Sequence, residues 1–165
     1  MNTKSRVAGA FIGLAVGDAM GAPFERKEIG SFTHTKEMIG GGPYELPVGA
    51  WTDETATALC LAQSLLVTHE LNVHDLVERL KKWVENGENT STGECIGIEQ
   101  KLLNFVTNFD RNRKVNSDHI FQKAKGSSVL ARVAPIACIH WDDLQSARRI
   151  AKQQSYLTHS SEIVA

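Results

Sequence analysis

Thr52, Asp53 and Glu54 stand in a row after the Gly49-Ala50-Trp51 turn and just ahead of an apolar helical repeat. Three consecutive oxygen-bearing side chains have two uses there. As a helix start, Thr52 caps the first turn while the two carboxylates lie near the positive end of the helix dipole. As chemistry, they make half of a coordination shell for a hard divalent cation. Spacing alone does not choose. Glu25, in the connection beyond Pro23, is either a plain surface acid or an acid that reaches the same site as Asp53. Gly40-Gly41-Gly42-Pro43 can bring backbone N–H groups close to a ligand, as phosphate-cradling loops do. It lacks the P-loop lysine and the strand-turn-helix setting of a dinucleotide fold, and a flexible turn is the alternative. The six histidines are scattered, and only His159 is retained as a candidate ligand contact.

These residues need elements to position them. From Thr55 onward, Ala58, Leu59, Ala62, Leu65 and Leu66 recur at steps of three and four, which predicts a helix. Upstream, Gly9, Gly13, Gly17 and Gly21 recur every four residues along one face of a helix over Ser5 to Gly21. Interior glycine costs about 0.5–1 kcal/mol relative to alanine, so the run predicts a second helix packed closely on that face. Asp18 then needs a partner or a function, because the helix carrying it is expected to be buried. The apolar stretch Val7 to Val16 is too short to span a bilayer and runs into Asp18. Asn72 caps a third helix with an apolar stripe of Val73, Leu76, Val77, Leu80, Trp83 and Val84, which Asn86-Gly87 stops.

Further on, a helix runs through Leu102, Leu103 and Val106, and a polar loop covers Asn108 to Asn116. A short segment follows around Ile120 and Phe121. Gly126 to Ile136 reads as a buried helix with a proline-adapted turn, and Asp142 or Asp143 caps the next. Ser160 or Ser161 reads as one more helix start. No period-two pattern persists, so the class is all-α.

A chain of 165 residues, 42% hydrophobic and 22% charged, can bury one ordinary core, which predicts a single soluble domain over residues 1–165 or part of one. A net charge of -1 offers no bulk attraction to nucleic acid or anionic membranes, so neither is expected as a partner. Cys60, Cys95 and Cys138 are odd in number and lack C-x-x-C spacing, which points to a reducing, cytoplasmic compartment. There is no HExxH, no G-x-S-x-G and no basic, aromatic-interleaved patch.

Gly9-Ala10-Phe11-Ile12-Gly13-Leu14-Ala15-Val16-Gly17-Asp18-Ala19-Met20-Gly21, Met38-Ile39-Gly40-Gly41-Gly42 and Trp51-Thr52-Asp53-Glu54-Thr55 together resemble the N-terminal signature of the ADP-ribosylglycohydrolase family, and most of all its dinitrogenase reductase-activating glycohydrolase branch. Ser91-Thr92-Gly93-Glu94-Cys95, Arg132-Val133-Ala134-Pro135-Ile136 and Leu157-Thr158-His159 are similar to later family motifs, in the family's order. The resemblance implies a compact, orthogonal multi-helix bundle of that type, here truncated to an N-terminal portion. It implies a hydrolase with two divalent ions, magnesium or manganese, that cleaves the glycosidic bond between ADP-ribose and an acceptor. The substrate would be an ADP-ribosylated protein or an ADP-ribose-containing small molecule. Residue by residue, Thr52, Asp53 and Glu54 match the metal-ligand Thr-Asp-Asp, and Glu25 matches an acid that closes over the metal. Glu25 and Asp53 are thereby the implied catalytic pair, with Gly40, Gly41, Gly42 and His159 as ligand contacts.

Four departures qualify the match. Glu54 replaces the usual Asp, Gly97 falls where the family has the Asp of an Asp-Ile-Gly motif, and Ser127-Ser128 replaces Asn-Gly. The family's second metal motif, Asp-x-Asp-Thr, does not occur. A divalent ion of this class takes about six oxygens, and Thr52, Asp53, Glu54 and Glu25 offer at most four. Two expectations follow: an ADP-ribosyl hydrolase that self-associates or is completed by a C-terminal half, or a degenerate relative that binds ADP-ribose or a protein partner without catalysis.

Overall fold

Asn72 accepts a hydrogen bond from the Asp75 amide at 3.1 Å and opens helix α3, Val73–Asn86. Gly87 closes it in the left-handed conformation (φ 67°), donating its N–H to the Lys82 and Trp83 carbonyls. Between these signals Leu76, Val77, Leu80 and Trp83 are buried, so the predicted stripe is the face that meets the core. The computed structural model describes residues 2–109 and 126–159. The segment around Ile120 and Phe121, the helix start at Ser160 or Ser161 and most of the polar loop after Asn108 lie outside the described residues.

The other helices are α1 (Thr3–Gly21), α2 (Asp53–Thr68), α4 (Gln100–Thr107), α5 (Val133–Ile139) and α6 (Leu144–Tyr156). A 3₁₀ turn, Ser128–Arg132, leads into α5, whose Pro135 sits in the first turn where its missing N–H is harmless. Asp143 caps α6 by accepting from the Ser146 amide at 3.0 Å. Among the described residues there is no strand, only an isolated bridge between Gly41 and Leu46, and the all-α expectation holds.

Helix α2 is the centre of the molecule. It packs against α3, α5, the turn before α5, and α1. Its Ala56, Cys60, Leu61 and Leu65 join Leu76, Val77, Leu80 and Trp83 of α3, Leu102, Phe105 and Val106 of α4, Ile136 of α5 and Ile150 of α6 in one core. It also begins at Asp53, two residues ahead of the first residue expected to be helical.

Helix α1 overturns two expectations. The glycine face is open: Gly9, Gly13, Gly17 and Gly21 are exposed, and a Cβ built on any of them would meet nothing within 4 Å. Nor is the helix buried, for Ala19 alone is buried while Ile12 is 63% exposed. With the turn after it, Thr3–Phe24 has 22 residues and contains an 18-residue window of mean hydropathy 1.5, long and apolar enough to cross a membrane by those measures. The expectation of a run too short to span counted only Val7 to Val16. What joins α1 to this domain is its packing on α2 and α5 and the side chain of Asp18.

Candidate active site

Asp18 reaches from α1 to the start of α2 and takes four donors. Its carboxylate accepts from the Thr52 amide (3.0 and 3.1 Å), the Thr52 hydroxyl (2.7 Å), the Thr55 amide (3.0 Å) and the Thr55 hydroxyl (2.7 Å). The first amides of a helix have no intrahelical acceptor, and a carboxylate there also meets the positive end of the dipole. Asp18 is therefore the cap of α2. Thr52 occupies the N-cap position, but its side chain accepts no amide, which corrects the expectation that it caps the turn itself.

Freed from capping, the Thr52 hydroxyl faces two acids. Its Oγ1 lies 2.7 Å from Asp18 Oδ1 and 2.7 Å from Glu54 Oε2. One hydroxyl has one proton to donate, so the second contact calls for a further proton or for a cation. Asp53 beside it has its carboxyl pushed up to about 8, first by burial, then by the charge of Glu54 and hydrogen bonding with it, with a contribution from Asp18. Negative charge is in excess here. That is the electrostatic signature of a place where a divalent ion would be stabilised. Among the described residues, no three of His, Cys, Asp and Glu gather closely enough to hold a metal alone.

The loop before α2 is pinned from the far side. The Trp51 amide donates to Ser91 Oγ at 2.9 Å, and the Trp51 indole N–H donates to the Asn89 carbonyl at 3.0 Å. Asn89 Oδ1 in turn accepts from Gln63 Nε2 of α2 at 2.9 Å. Ser91 thus acts through Trp51 on Thr52. Gly97, four residues on, has φ +81°, and a Cβ there would collide with Asp53 Oδ1. With Asp53 in this position the missing Asp-Ile-Gly carboxylate has no room.

Glu25, Asp18, Thr52 and Glu54 line one open cleft of ≈ 560 Å³, together with Gly13, Gly17 and Phe24. Glu25 Oε1 accepts from the Tyr44 hydroxyl at 3.0 Å, and Arg26 lies 3.6 Å away. Desolvation and the Glu25 carboxylate raise the Tyr44 phenol above its ordinary range. The floor of the cleft is acidic and its wall is the glycine face of α1.

Gly40, Gly41 and Gly42 do not border this cleft. All three have positive φ; Gly41 N donates to Leu46 O at 2.7 Å, and a Cβ on Gly42 would meet Ala22 O and Pro23 Cα, each at 2.7 Å. Gly40 and Gly42 are thus glycine because backbone packs close on them, and Gly41 because of its positive φ. His159 is fully buried in a different corner, beside Glu99, Lys101, Ser128 and Arg132. Ser128 Oγ donates to Glu99 Oε2, and Lys101 Nζ lies 3.3 Å from Glu99 Oε1. Sequence reasoning missed Thr55, Tyr44, Glu99 and the buried Arg132 as parts of these two groups. The available signal was a charged residue in an apolar run, as with Asp18 and Arg132; contacts such as Ser128 to Glu99, 29 residues apart, leave no local trace.

The sequence matches the family model for ADP-ribosylglycohydrolase over residues 1–165. The chain belongs to the ADP-ribosylglycohydrolase family. It is 32% identical over 157 residues to ADP-ribosylarginine hydrolase Tri1 of Serratia proteamaculans, covering 93% of this chain and 42% of that protein. It is 39% identical over 89 residues to the ADP-ribosyl-[dinitrogen reductase] glycohydrolase of Rhodospirillum rubrum, covering 52% of this chain and 30% of that one. Among solved structures, an ADP-ribosylglycohydrolase-related protein complex superposes with a TM-score of 0.74 at 32% identity, over 98% of this chain and 52% of that one. The chain thus spans about half the length, or less, of the family members it matches.

Proposed function

We propose that this chain carries the N-terminal metal-binding part of an ADP-ribosyl hydrolase, acting on ADP-ribose attached to a protein side chain or a related conjugate. The observation that carries this reading is the acid cluster at the start of α2. In a chain of this family, Thr52 Oγ1 stands between two carboxylates at 2.7 Å while Asp53 is pushed up to about 8. A magnesium or manganese ion would be held by Thr52, Asp53 and Glu54, with Glu25 at the rim of the same cleft. Such an ion supplies Lewis-acid stabilisation of an oxygen and a water of lowered pKa.

The chain's own residues do the rest. Asp18 fixes the Thr52 amide and hydroxyl, which sets the direction of Thr52 Oγ1. Tyr44 holds the Glu25 carboxylate over the cleft by donating to Oε1. In metal-free protein Asp53 retains a proton at neutral pH, and cation binding would displace it. The open glycine wall lets a flat or extended ligand lie against the α1 backbone.

About six oxygens are wanted and the chain offers at most four; waters would fill the rest, or further protein ligands would come from a C-terminal half or a second copy. The exposed apolar surface of α1 supports the latter. The three free thiols, of which burial raises Cys60 and Cys95 to about 11, fit a reducing cytoplasm. The test is a manganese and magnesium titration coupled to an ADP-ribosyl hydrolysis assay. Weak metal binding and little turnover by the chain alone, with turnover restored by an added C-terminal half, is the expected result. Robust metal-dependent turnover by the monomer overturns the completion; ADP-ribose binding with no turnover under any complementation favours the non-catalytic relative, to which Gly97 in place of Asp also points.

A further inference from the structure

Asn89, just after α3, is half-buried and has a left-handed backbone (φ 65°), a conformation that asparagine tolerates better than most residues. Its side chain is fixed by α2. Gln63 Nε2 donates to Asn89 Oδ1 at 2.9 Å, while Asn89 Nδ2 donates to Gln63 Oε1 at 3.3 Å and to Cys60 Sγ at 3.4 Å. The direction of these bonds is set from α3. Arg79 can only donate; its Nη1 gives to Gln63 Oε1 at 3.3 Å, and its Nε pairs with Asp75 Oδ2 at 2.8 Å. Gln63 therefore turns its Nε2 toward Asn89.

So held, the Asn89 carbonyl accepts the Trp51 indole N–H at 3.0 Å. The Trp51 amide is held at the same time by Ser91 Oγ at 2.9 Å, and the next residue is Thr52, which Asp18 grips from the other side. The body of α2 at Gln63 is thereby braced, through Asn89 and Trp51, to the loop that opens the helix about three turns earlier. Groups behind a metal ligand fix the direction in which it points, and their loss typically weakens metal binding about 10–100-fold. We propose that Asn89 is a positioning residue for the candidate metal site, aiming Thr52 and Asp53 through the Trp51 indole and so setting the affinity for a divalent cation. The metal half of this assignment rests on the function proposed above; the brace itself does not.

Two variants separate the parts. Asn89→Gly keeps the left-handed backbone and removes the side chain, and Trp51→Phe keeps a ring and removes the indole N–H. On the full chain, hydrogen exchange at the Trp51 indole is read by NMR in metal-free buffer, its signal assigned among the three tryptophans by its loss in Trp51→Phe. Manganese affinity is read from the EPR signal of the free ion. The expected results are slow indole exchange in the wild type, fast exchange in Asn89→Gly, and manganese binding weakened about tenfold in both variants. Ile150→Val, which trims a buried side chain of α6, should leave the affinity unchanged. Fast indole exchange in the wild type overturns the brace. Wild-type affinity in both variants overturns the positioning role and leaves the proposed function standing, and an equal loss in Ile150→Val overturns it too, because the loss then follows stability. No manganese binding by any form of the chain counts against the proposed function and removes the metal half, while the exchange result still upholds or overturns the brace.

Discussion

Helices α1 and α3 are both long and both carry ample apolar side chains, yet they are attached to the molecule by different forces. Helix α3 buries Leu76, Val77, Leu80 and Trp83 in the main core, and its charged residues face out. Helix α1 buries Ala19 alone, and its hold on α2 includes the hydrogen bonds that Asp18 accepts. Burial of large side chains gives stability spread over many contacts, whereas one carboxylate concentrates it in a single group. The region that stabilises the fold and the region that organises the candidate site are therefore separable by mutation.

The largest effect is expected at Trp83. Trp83→Ala removes a fully buried ring and should cost about 3–5 kcal/mol in urea unfolding, enough to unfold a marginal domain. Asp18→Ala comes next. It strands the amides of Thr52 and Thr55, and about 2–3 kcal/mol is expected, with loss of any metal response of the cluster; equal losses of stability with an unaltered metal response would erase the contrast between the two helices.

A smaller, pH-dependent effect belongs to Asp53. Its folded pKa, about 8, lies above that of an unfolded aspartate, about 3.9, so the folded state binds the extra proton between those values. The stability associated with this proton is present in full below about pH 4 and is lost as pH rises through 8. Thermal scans in metal-free buffer should show that decline, and both Asp53→Asn and added manganese should flatten it. The smallest effect is at Gly13, where a Cβ meets open space: Gly13→Ala should stabilise the isolated chain by about 0.5–1 kcal/mol through helix propensity alone. A destabilised Gly13→Ala would mean that the face is covered after all.

Much of α3 was legible because every signal in it is local. Asn72, Gly87 and the apolar period each act within four residues. The same logic located α2, α4 and α6 and the cap at Asp143. It failed for α1 because apolar composition says that a face should be covered without saying what covers it, and glycine spacing is compatible with either a packed or an open wall. At the site, Thr52-Asp53-Glu54 and Glu25 were legible as residue types, and the structure sets them along one cleft with Asp53 alongside. That Asp18 rather than Thr52 caps α2 was not, since the contact spans 34 residues. Glu99 with Ser128, and Arg132 with Thr158, belong to the same long-range class.

The distance along the chain between Asp18 and the helix it caps sets the order in which the site assembles. Helix α2 can nucleate and collapse with α3 through local contacts, but the loop between α1 and α2 must close before its first turn gains an acceptor. The cap is then expected to form late, after the rate-limiting step of folding. Asp18→Ala should accordingly speed unfolding far more than it slows refolding, and the first turn of α2, with its three ligand-type side chains, should be the part of that helix that opens and exchanges its amide protons soonest.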